Sequence, residues 1–434
     1  MTDVSDFFNA KTFAIVGASR DEKKVGHAIF KNLLSSGKRV IPVNPNAKEI
    51  LGHKCYADLL DVPYEIDCVV VAVPAKLVPL ILRHAQDKKI KSAIITSAGF
   101  SENGNNDLEK RILQIADEAG IKILGPNSYG IMDTLSRTNS TYFRKIPKPG
   151  HIAFISQSGA IGSAVLDKQE KLSAFVSVGN GSQIDFSDFI EYFSDDKNTK
   201  VITLYLESLK EGRGKDFIKS CKKCRKPILV LKAGKSKDGQ KTARTHTAAL
   251  SSEQGVYSGI FKQAGLIEVS SIKQLFLTAK ILEKYQNIGN NAMVITNAGG
   301  LGVLTSDACA ENKIKIKQLS EKTTEELNKV LNPNWSKRNP VDLIGDALSG
   351  DYSNALEILE KSEKFDFYII LLTPQIMTQP LETARLLLKL KKPVFTCFLG
   401  GEQLKHAKEF LLSEGIINFG EVKEMCDAIG RVIK

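Results

Sequence analysis

Cysteine is scarce, with seven residues in a chain of 434, an odd number thinly spread. That excludes a disulfide-stapled secreted scaffold and fits a reducing cytoplasm. One CxxC occurs, Cys221 and Cys224. No second pair or spaced histidines complete a zinc site around it, so no metal centre is expected. No run approaches the ~18–20 apolar residues of a membrane helix. The start MTDVSDFFNAKTF lacks the basic opening and apolar core of a secretory signal. Aromatics are few, at 7%, and no recognition-helix motif appears. The lysines behind the net charge of +11 are scattered over the whole chain. A solvated surface, or a polyanionic small ligand, explains that charge better than nucleic acid does. The expectation is a cytoplasmic protein with neither membrane nor nucleic-acid partners.

What is present is ordinary globular material, 42% hydrophobic and 25% charged. The length calls for two to four domains of roughly 100–200 residues each. Residues 12–130 alternate short apolar strands with amphipathic helices. TFAIVGAS, RVIPVN, DCVVVAVP, SAIITSAGF and IKILGPNSYG read as strands, the last taken as one element over 121–130. Strands alternating with helices predict a doubly wound parallel sheet. The stretch KIPKPG closes this block, and HIAFIS, AFVSVG, VITLYLES, KPILVLKAG and GLIEVSS form a second. After the polar break QNIGNN, a third block reads AMVITNAGG, DFYIILLTP, KPVFTCFLGG and GIINFG as strands. The expected organisation is a domain at 1–133, a linker at 134–150, a domain at 151–287 and a domain at 288–434.

The second and third blocks look like copies. HIAFISQSGAIGSAVLD aligns with AMVITNAGGLGVLTSDA, VITLYLESL with FYIILLTPQ, and KPILVLKAG with KPVFTCFLGG. GLIEVSSIKQLFLTAKIL aligns with GIINFGEVKEMCDAIGRVI. One difference is informative. The first copy spends about 39 residues from Pro227 to Leu266, and the second about 23 from Pro393 to Ile416. The excess lies in the polar segment KSKDGQKTARTHTAALSSEQG, within 232–256. A loop the architecture does not require carries function more often than stability.

Three strand-to-helix turns are built of small residues. They are Gly17-Ala18-Ser19-Arg20, Ser156-Gln157-Ser158-Gly159 and Asn297-Ala298-Gly299-Gly300. Small side chains let backbone N–H groups approach an anion, and the helix dipole adds partial positive charge. The first turn is not a dinucleotide site. GxGxxG is absent, and the second strand ends Val43-Asn44-Pro45, without the acid that holds an NAD ribose. A different nucleotide, or coenzyme A, fits better, with Arg20, Lys23, Lys24 and Lys48 available to its phosphates. The second and third turns form a pair suited to a phosphoryl group.

His246 sits in the additional loop as Thr245-His246-Thr247, off any apolar face. A neutral imidazole can attack phosphorus and hold it as phosphohistidine. Glu207, at the end of the apolar run 201–206, is the candidate carboxylate to steady it.

The ordered set IVGAS, VNP, VAVPA, TSAGF, GPNSYG, SQSGA, VGNGSQIDF, YLES, RTHTAAL, TNAGGLGV and NPVDLIG resembles the α subunit of NDP-forming acyl-CoA synthetases. The ADP-forming acetate–CoA ligase type is the most similar; the succinyl-CoA synthetase α subunit resembles only the first two blocks. The resemblance implies an α/β fold, with a Rossmann-like CoA-binding domain followed by two flavodoxin-like doubly wound domains. It implies interconversion of acyl-CoA, ADP and phosphate with acid, CoA and ATP, through acyl phosphate and phosphohistidine. His246 would be the phosphorylated residue and Glu207 its stabiliser. Ser156, Gln157, Ser158 and Gly159, with Asn297, Ala298, Gly299 and Gly300, would cradle phosphate. Gly17, Ala18, Ser19, Arg20, Lys23, Asn44, Lys48, Val73 and Pro74 would hold CoA, with Ser97 and Asn127 near the thioester. The loop reads THTAAL where the family more often has SHTGSL. No ATP-grasp region is recognisable, which implies a separate ATP-grasp β subunit holding ADP or ATP with Mg2+, in an α2β2 assembly. Three alternatives stand beside this reading: a non-catalytic sensor of CoA or acyl-CoA, a succinate–CoA ligase α subunit, and an NAD-dependent oxidoreductase, which the missing ribose acid disfavours.

Overall fold

The run Cys68–Val71 is buried along its whole length, as a central parallel strand must be. In the computed structural model, which describes residues 2–169, 171–236, 238–239 and 254–433, it lies at the middle of a five-stranded sheet. The spatial order is Arg39–Val43, Thr12–Val16, Cys68–Val71, Ser92–Ile95, Lys122–Leu124, all parallel. In chain order that is 2-1-3-4-5, a doubly wound arrangement. Alternation along Thr12–Val16 sends side chains to opposite faces. Ala14 and Val16 pack with Val69, Val71, Ile95 and the helix residues Ile112 and Ala116. Phe13 and Ile15 point the other way, into a core that continues through Ile155, Val176 and Phe189 of the second block.

The second sheet has seven strands. Five are parallel, in the order Ile267–Val269, Ile228–Lys232, Val201–Leu206, Lys148–Ser156, Lys171–Ser177. This is again 2-1-3-4-5 in chain order. Gly130–Asp133 and Thr138–Asn139 extend it as antiparallel strands. Two sequence expectations change here. The stretch 121–130 is not one strand. Gly125, at φ +105°, and Pro126, which has no N–H to donate, interrupt it. Lys122–Leu124 stays in the first sheet and Gly130–Asp133 joins the second. Nor are residues 134–150 simply a linker, since Thr138–Asn139 and the start of Lys148–Ser156 are strand. This crossing, together with the shared core, makes Met1–Leu275 one compact unit.

Phe276–Lys434 is the other unit. Its sheet runs Lys315–Ile316, Asn291–Thr296, Phe367–Leu372, Val394–Phe398, Ile417–Asn418, all parallel, with Val341–Asp342 pairing off Asn291–Thr296. Apart from that added strand, the order repeats that of the second block's parallel strands. Among the described residues no helix is long and apolar enough to cross a membrane.

Candidate functional site

Gly17, Ala18, Ser19, Arg20, Asn44, Val73, Pro74, Ser97 and Asn127 all fall just beyond the carboxyl ends of the first sheet's strands. The chain reverses its winding between Thr12–Val16 and Cys68–Val71, where open parallel sheets bind ligands. The turn there is closed by backbone contact. A Cβ on Gly26 would come 2.0 Å from the Gly17 carbonyl oxygen, and one on Gly17 would come 2.3 Å from that of Ala72. Only glycine at both places lets the Val25–Leu34 helix start against the turn and present its N–H groups to an anion. Asn44 Nδ2 donates to the Ala18 carbonyl at 2.7 Å, bracing the turn from the neighbouring strand. His27 Nδ1 donates to the Ser19 carbonyl at 2.9 Å, and its Nε2 is buried without a hydrogen-bond partner. The Ser97 hydroxyl donates to the Val73 carbonyl at 2.5 Å, and Asn127 N–H to the Ser97 carbonyl at 2.9 Å. Arg20, Lys23 and Lys48 are exposed; Arg20 reaches the Asn46 carbonyl at 3.5 Å. This cradle of close-approaching glycines, braced amides and exposed cations suits a phosphate-bearing ligand.

In the second block the turn after Lys148–Ser156 borders a cavity of about 210 Å³. Gln157, Ser158, Gly159 and Glu207 line it together, as does Asn127 from the first block. Ser156 does not face it. Its fully buried hydroxyl donates to the Ser158 carbonyl at 2.7 Å and shapes the turn. Ser158 Oγ caps the Gly159–Lys168 helix by accepting from Ile161 N–H at 3.3 Å. The Gln157 amide spans to the next strand's end. Its Oε1 accepts from the N–H groups of Glu207 at 2.9 Å and Ser208 at 3.0 Å.

One cation stands by Glu207 and a second lines the same cavity. Lys232 is 6% exposed and donates to the Glu207 carbonyl at 2.7 Å, with the Tyr257 ring centroid 4.6 Å away. Burial lowers its pKa to about 8, against the pull of the nearby Glu207 charge. Lys210 lines the cavity and is held by Glu109 Oε1 at 3.0 Å. Glu109, on the Asn106–Ala119 helix, also accepts from Ser182 Oγ at 2.6 Å, Asn180 Nδ2 at 2.9 Å and Ser101 N–H at 3.1 Å. Burial alone would raise the Glu109 pKa. The hydrogen bonds from Ser101, Ser182 and Asn180 and the Lys210 charge outweigh it and bring the pKa to about 2.

The third-block turn has a related frame in its own unit. Asn297 Oδ1 accepts from Thr373 N–H and its Nδ2 donates to the Thr373 carbonyl, both at 2.9 Å. Ala298 N–H donates to Thr296 Oγ1 at 3.0 Å. Gly299 and Gly300 begin the Gly299–Glu311 helix, and a Cβ on Gly299 would come 2.8 Å from the Asp342 carboxylate. That turn therefore already has an anion beside it.

His246 lies outside the described residues. The chain enters its segment from Ile228–Lys232, whose last residue pairs with Leu206, directly before Glu207.

Residues 11–134 match the family pattern described as CoA binding domain, 149–282 that of the succinyl-CoA ligase like flavodoxin domain, and 292–431 that of the Ligase-CoA domain. The chain is 36% identical to the α subunit of acetate–CoA ligase [ADP-forming] II of Pyrococcus furiosus, covering 97% of this chain and 95% of that one. This chain belongs to the ADP-forming acyl-CoA synthetase family. It is also 39% identical over 95% of its length to acetate–CoA ligase [ADP-forming] I of Archaeoglobus fulgidus, of which it spans only 61%. A solved structure of Candidatus Korarchaeum cryptofilum acetyl-coenzyme A synthetase 1, in complex with phosphate and ADP, superposes with a TM-score of 0.93 at 33% identity. That match covers 100% of this chain and 96% of the other.

Within this synthetase-family fold, the sequence pointed to the turns and to Glu207 but not to Lys232, Lys210, Glu109 or Asn180, nor to Tyr129 and Tyr142, which also line the cavity. Lys232 left a signal, a lysine closing the apolar run ILVLK. Glu109 left none, because its partners lie 71 to 101 residues away apart from Ser101.

Proposed function

We propose that this chain is the α-type component of an ADP-forming acyl-CoA synthetase of the acetate–CoA ligase type, acting in the cytoplasm with a separate ATP-grasp β subunit. The observation that carries the reading is the cavity that gathers Gln157, Ser158, Gly159 and Glu207 with Asn127. CoA would occupy the Gly17–Arg20 turn, with Lys23, Asn44, Lys48, Val73 and Pro74 around it and Ser97 and Asn127 near the thioester. Phosphate would rest on the helix N-terminus behind Ser158, where N–H groups and dipole favour an anion. Its oxygen attacks the thioester carbonyl; the C–S bond breaks, giving acyl phosphate and CoA thiol. A ring nitrogen of His246 then attacks phosphorus, and the P–O bond to the acyl group breaks, releasing the carboxylate. Glu207 would hold the other ring nitrogen's proton and so favour the phosphorylated ring. ADP with Mg2+ on the β subunit would take the phosphoryl group. Asn297–Gly300 has the lesser part in this reading, since Asp342 already lies against Gly299.

The test is to incubate wild type and His246→Asn with an ATP-grasp partner, labelled phosphate and a panel of acyl-CoAs. Acid-labile, base-stable label on the wild type alone is the expected result. Absence of label from both, with CoA bound and the partner shown to be competent, would leave a CoA-binding sensor instead.

A further inference from the structure

The proposed reaction moves an acyl group from sulfur near Asn127 to phosphate at the Ser158–Gly159 turn. Both ends lie on one cavity, and two aromatic rings, Tyr129 and Tyr142, line it with them. Tyr129 packs on the turn itself, since a Cβ on Gly159 would come 3.0 Å from its ring. Tyr142 packs on Tyr129, with ring centroids 3.9 Å apart and planes inclined by 48°. From the turn outward the order is Gly159, Tyr129, Tyr142.

The outer ring is fixed by its flanks. Asn32, buried on the Val25–Leu34 helix, donates to the Thr141 carbonyl at 2.8 Å and the Phe143 carbonyl at 3.0 Å. Asn139 Nδ2 donates to the Phe143 carbonyl at 2.9 Å, and its Oδ1 accepts from Thr141 N–H at 3.0 Å. The backbone on both sides of Tyr142 is thus tied down, and its ring, 37% exposed, rests on Tyr129.

We infer that Tyr142, backed by Tyr129, is a specificity-determining residue that discriminates against aryl acids at this cavity. A cavity of about 210 Å³ is smaller than the ~300–1,000 Å³ pockets that enclose drug-sized ligands. Phosphate takes part of that space, and an aryl acid would need the volume of the Tyr142 ring. This inference rests on the functional reading above.

The experiment measures acid, CoA and ATP conversion to acyl-CoA by the full chain with an ATP-grasp partner, using acetate, butyrate and phenylacetate. Wild type should turn over acetate and butyrate and discriminate against phenylacetate. Tyr142→Ala should raise the phenylacetate-to-acetate ratio of kcat/KM roughly tenfold or more, with the KM for CoA unmoved. Tyr142→Phe, which keeps the ring, should keep the wild-type ratio. Should Tyr142→Ala fail to fold, Tyr142→Trp gives the opposite reading, a lowered butyrate-to-acetate ratio. Unchanged ratios in both Ala and Trp variants overturn the inference while leaving the enzyme reading intact. No turnover of any acid by wild type, with a competent partner, overturns both.

Discussion

Glu109→Gln is the most informative single change to the frame of the cavity. Glu109 is 5% exposed, and four donors meet its two oxygens. A carboxamide keeps one oxygen and turns an NH2 group toward two of them. Leaving buried donors unpaired costs about 1–3 kcal/mol each. Asn180 Nδ2 keeps another acceptor in Glu102 Oε2, at 2.6 Å. The Lys210 side chain is 34% exposed, so water takes up part of its loss. The expected destabilisation is about 3 kcal/mol at pH 7. Lowering a carboxyl pKa from 4.5 to about 2 corresponds to a similar figure, about 3 kcal/mol.

The pH dependence separates this account from a packing defect. The folded pKa is depressed, so the carboxylate's stabilisation is complete above pH 4.5 and is lost as pH falls toward 2. Urea titrations at pH 7 and pH 3, followed by circular dichroism, should show the gap between wild type and variant shrinking. Hydrogen exchange should place the loss in segments 99–120 and 178–190. Trp335, the chain's one tryptophan, is buried in the other unit and serves as a fluorescence control. A gap below ~1 kcal/mol at pH 7, or one constant down to pH 3, would refute the reasoning.

Gly26→Ala should weaken CoA binding roughly tenfold or more by calorimetry, because its Cβ must push the helix off the Gly17 carbonyl, 2.0 Å away. Gly214→Ala, with nothing within 4 Å of the new Cβ, is the control, and equal affinities would contradict the cradle. Lys232 gives a pH prediction of the other sign. Its folded pKa of about 8 lies below the ordinary 10.5, so folding favours loss of its proton. Between about pH 8 and 10.5 wild type should therefore gain stability on Lys232→Met, by about 2 kcal/mol. Urea midpoints across that range check it, and a flat difference would show the ammonium is not strained by burial.

The long apolar strands were legible in the sequence because burial on both faces leaves no alternation to misread; Cys68–Val71, Val201–Leu206 and Phe367–Leu372 all stand where expected. Once those strands are placed, their carboxyl ends follow, and with them the glycine turns and Glu207. The two-residue strands Lys315–Ile316 and Val341–Asp342 are too short to carry a period. Thr138–Asn139 is polar and was invisible for that reason. The aromatic wall was hidden differently. Tyr129 and Tyr142 meet only because the chain turns back between Gly130–Asp133 and Thr138–Asn139, and nothing local marks the contact.

The repeat read from sequence gains its chemical meaning from the hydrogen bonds. Aligning VITLYLESL with FYIILLTPQ sets Glu207 against Thr373. Glu207 N–H donates to the Gln157 side chain and Thr373 N–H to the Asn297 side chain, both at 2.9 Å. The same bracket has been built twice, by amides one methylene apart in length. The position it braces carries a carboxylate in one copy and a hydroxyl in the other. The copy with Glu207 is also the one with the additional polar segment that contains His246. In the other copy Asp342 sits against Gly299 at the helix start, where a carboxylate complements the helix dipole. The frame is thus common property of the two copies, while the carboxylate at the braced position and the additional polar segment belong to one. Architecture alone would have placed a site at either turn; the carboxylate and the loop favour the second block.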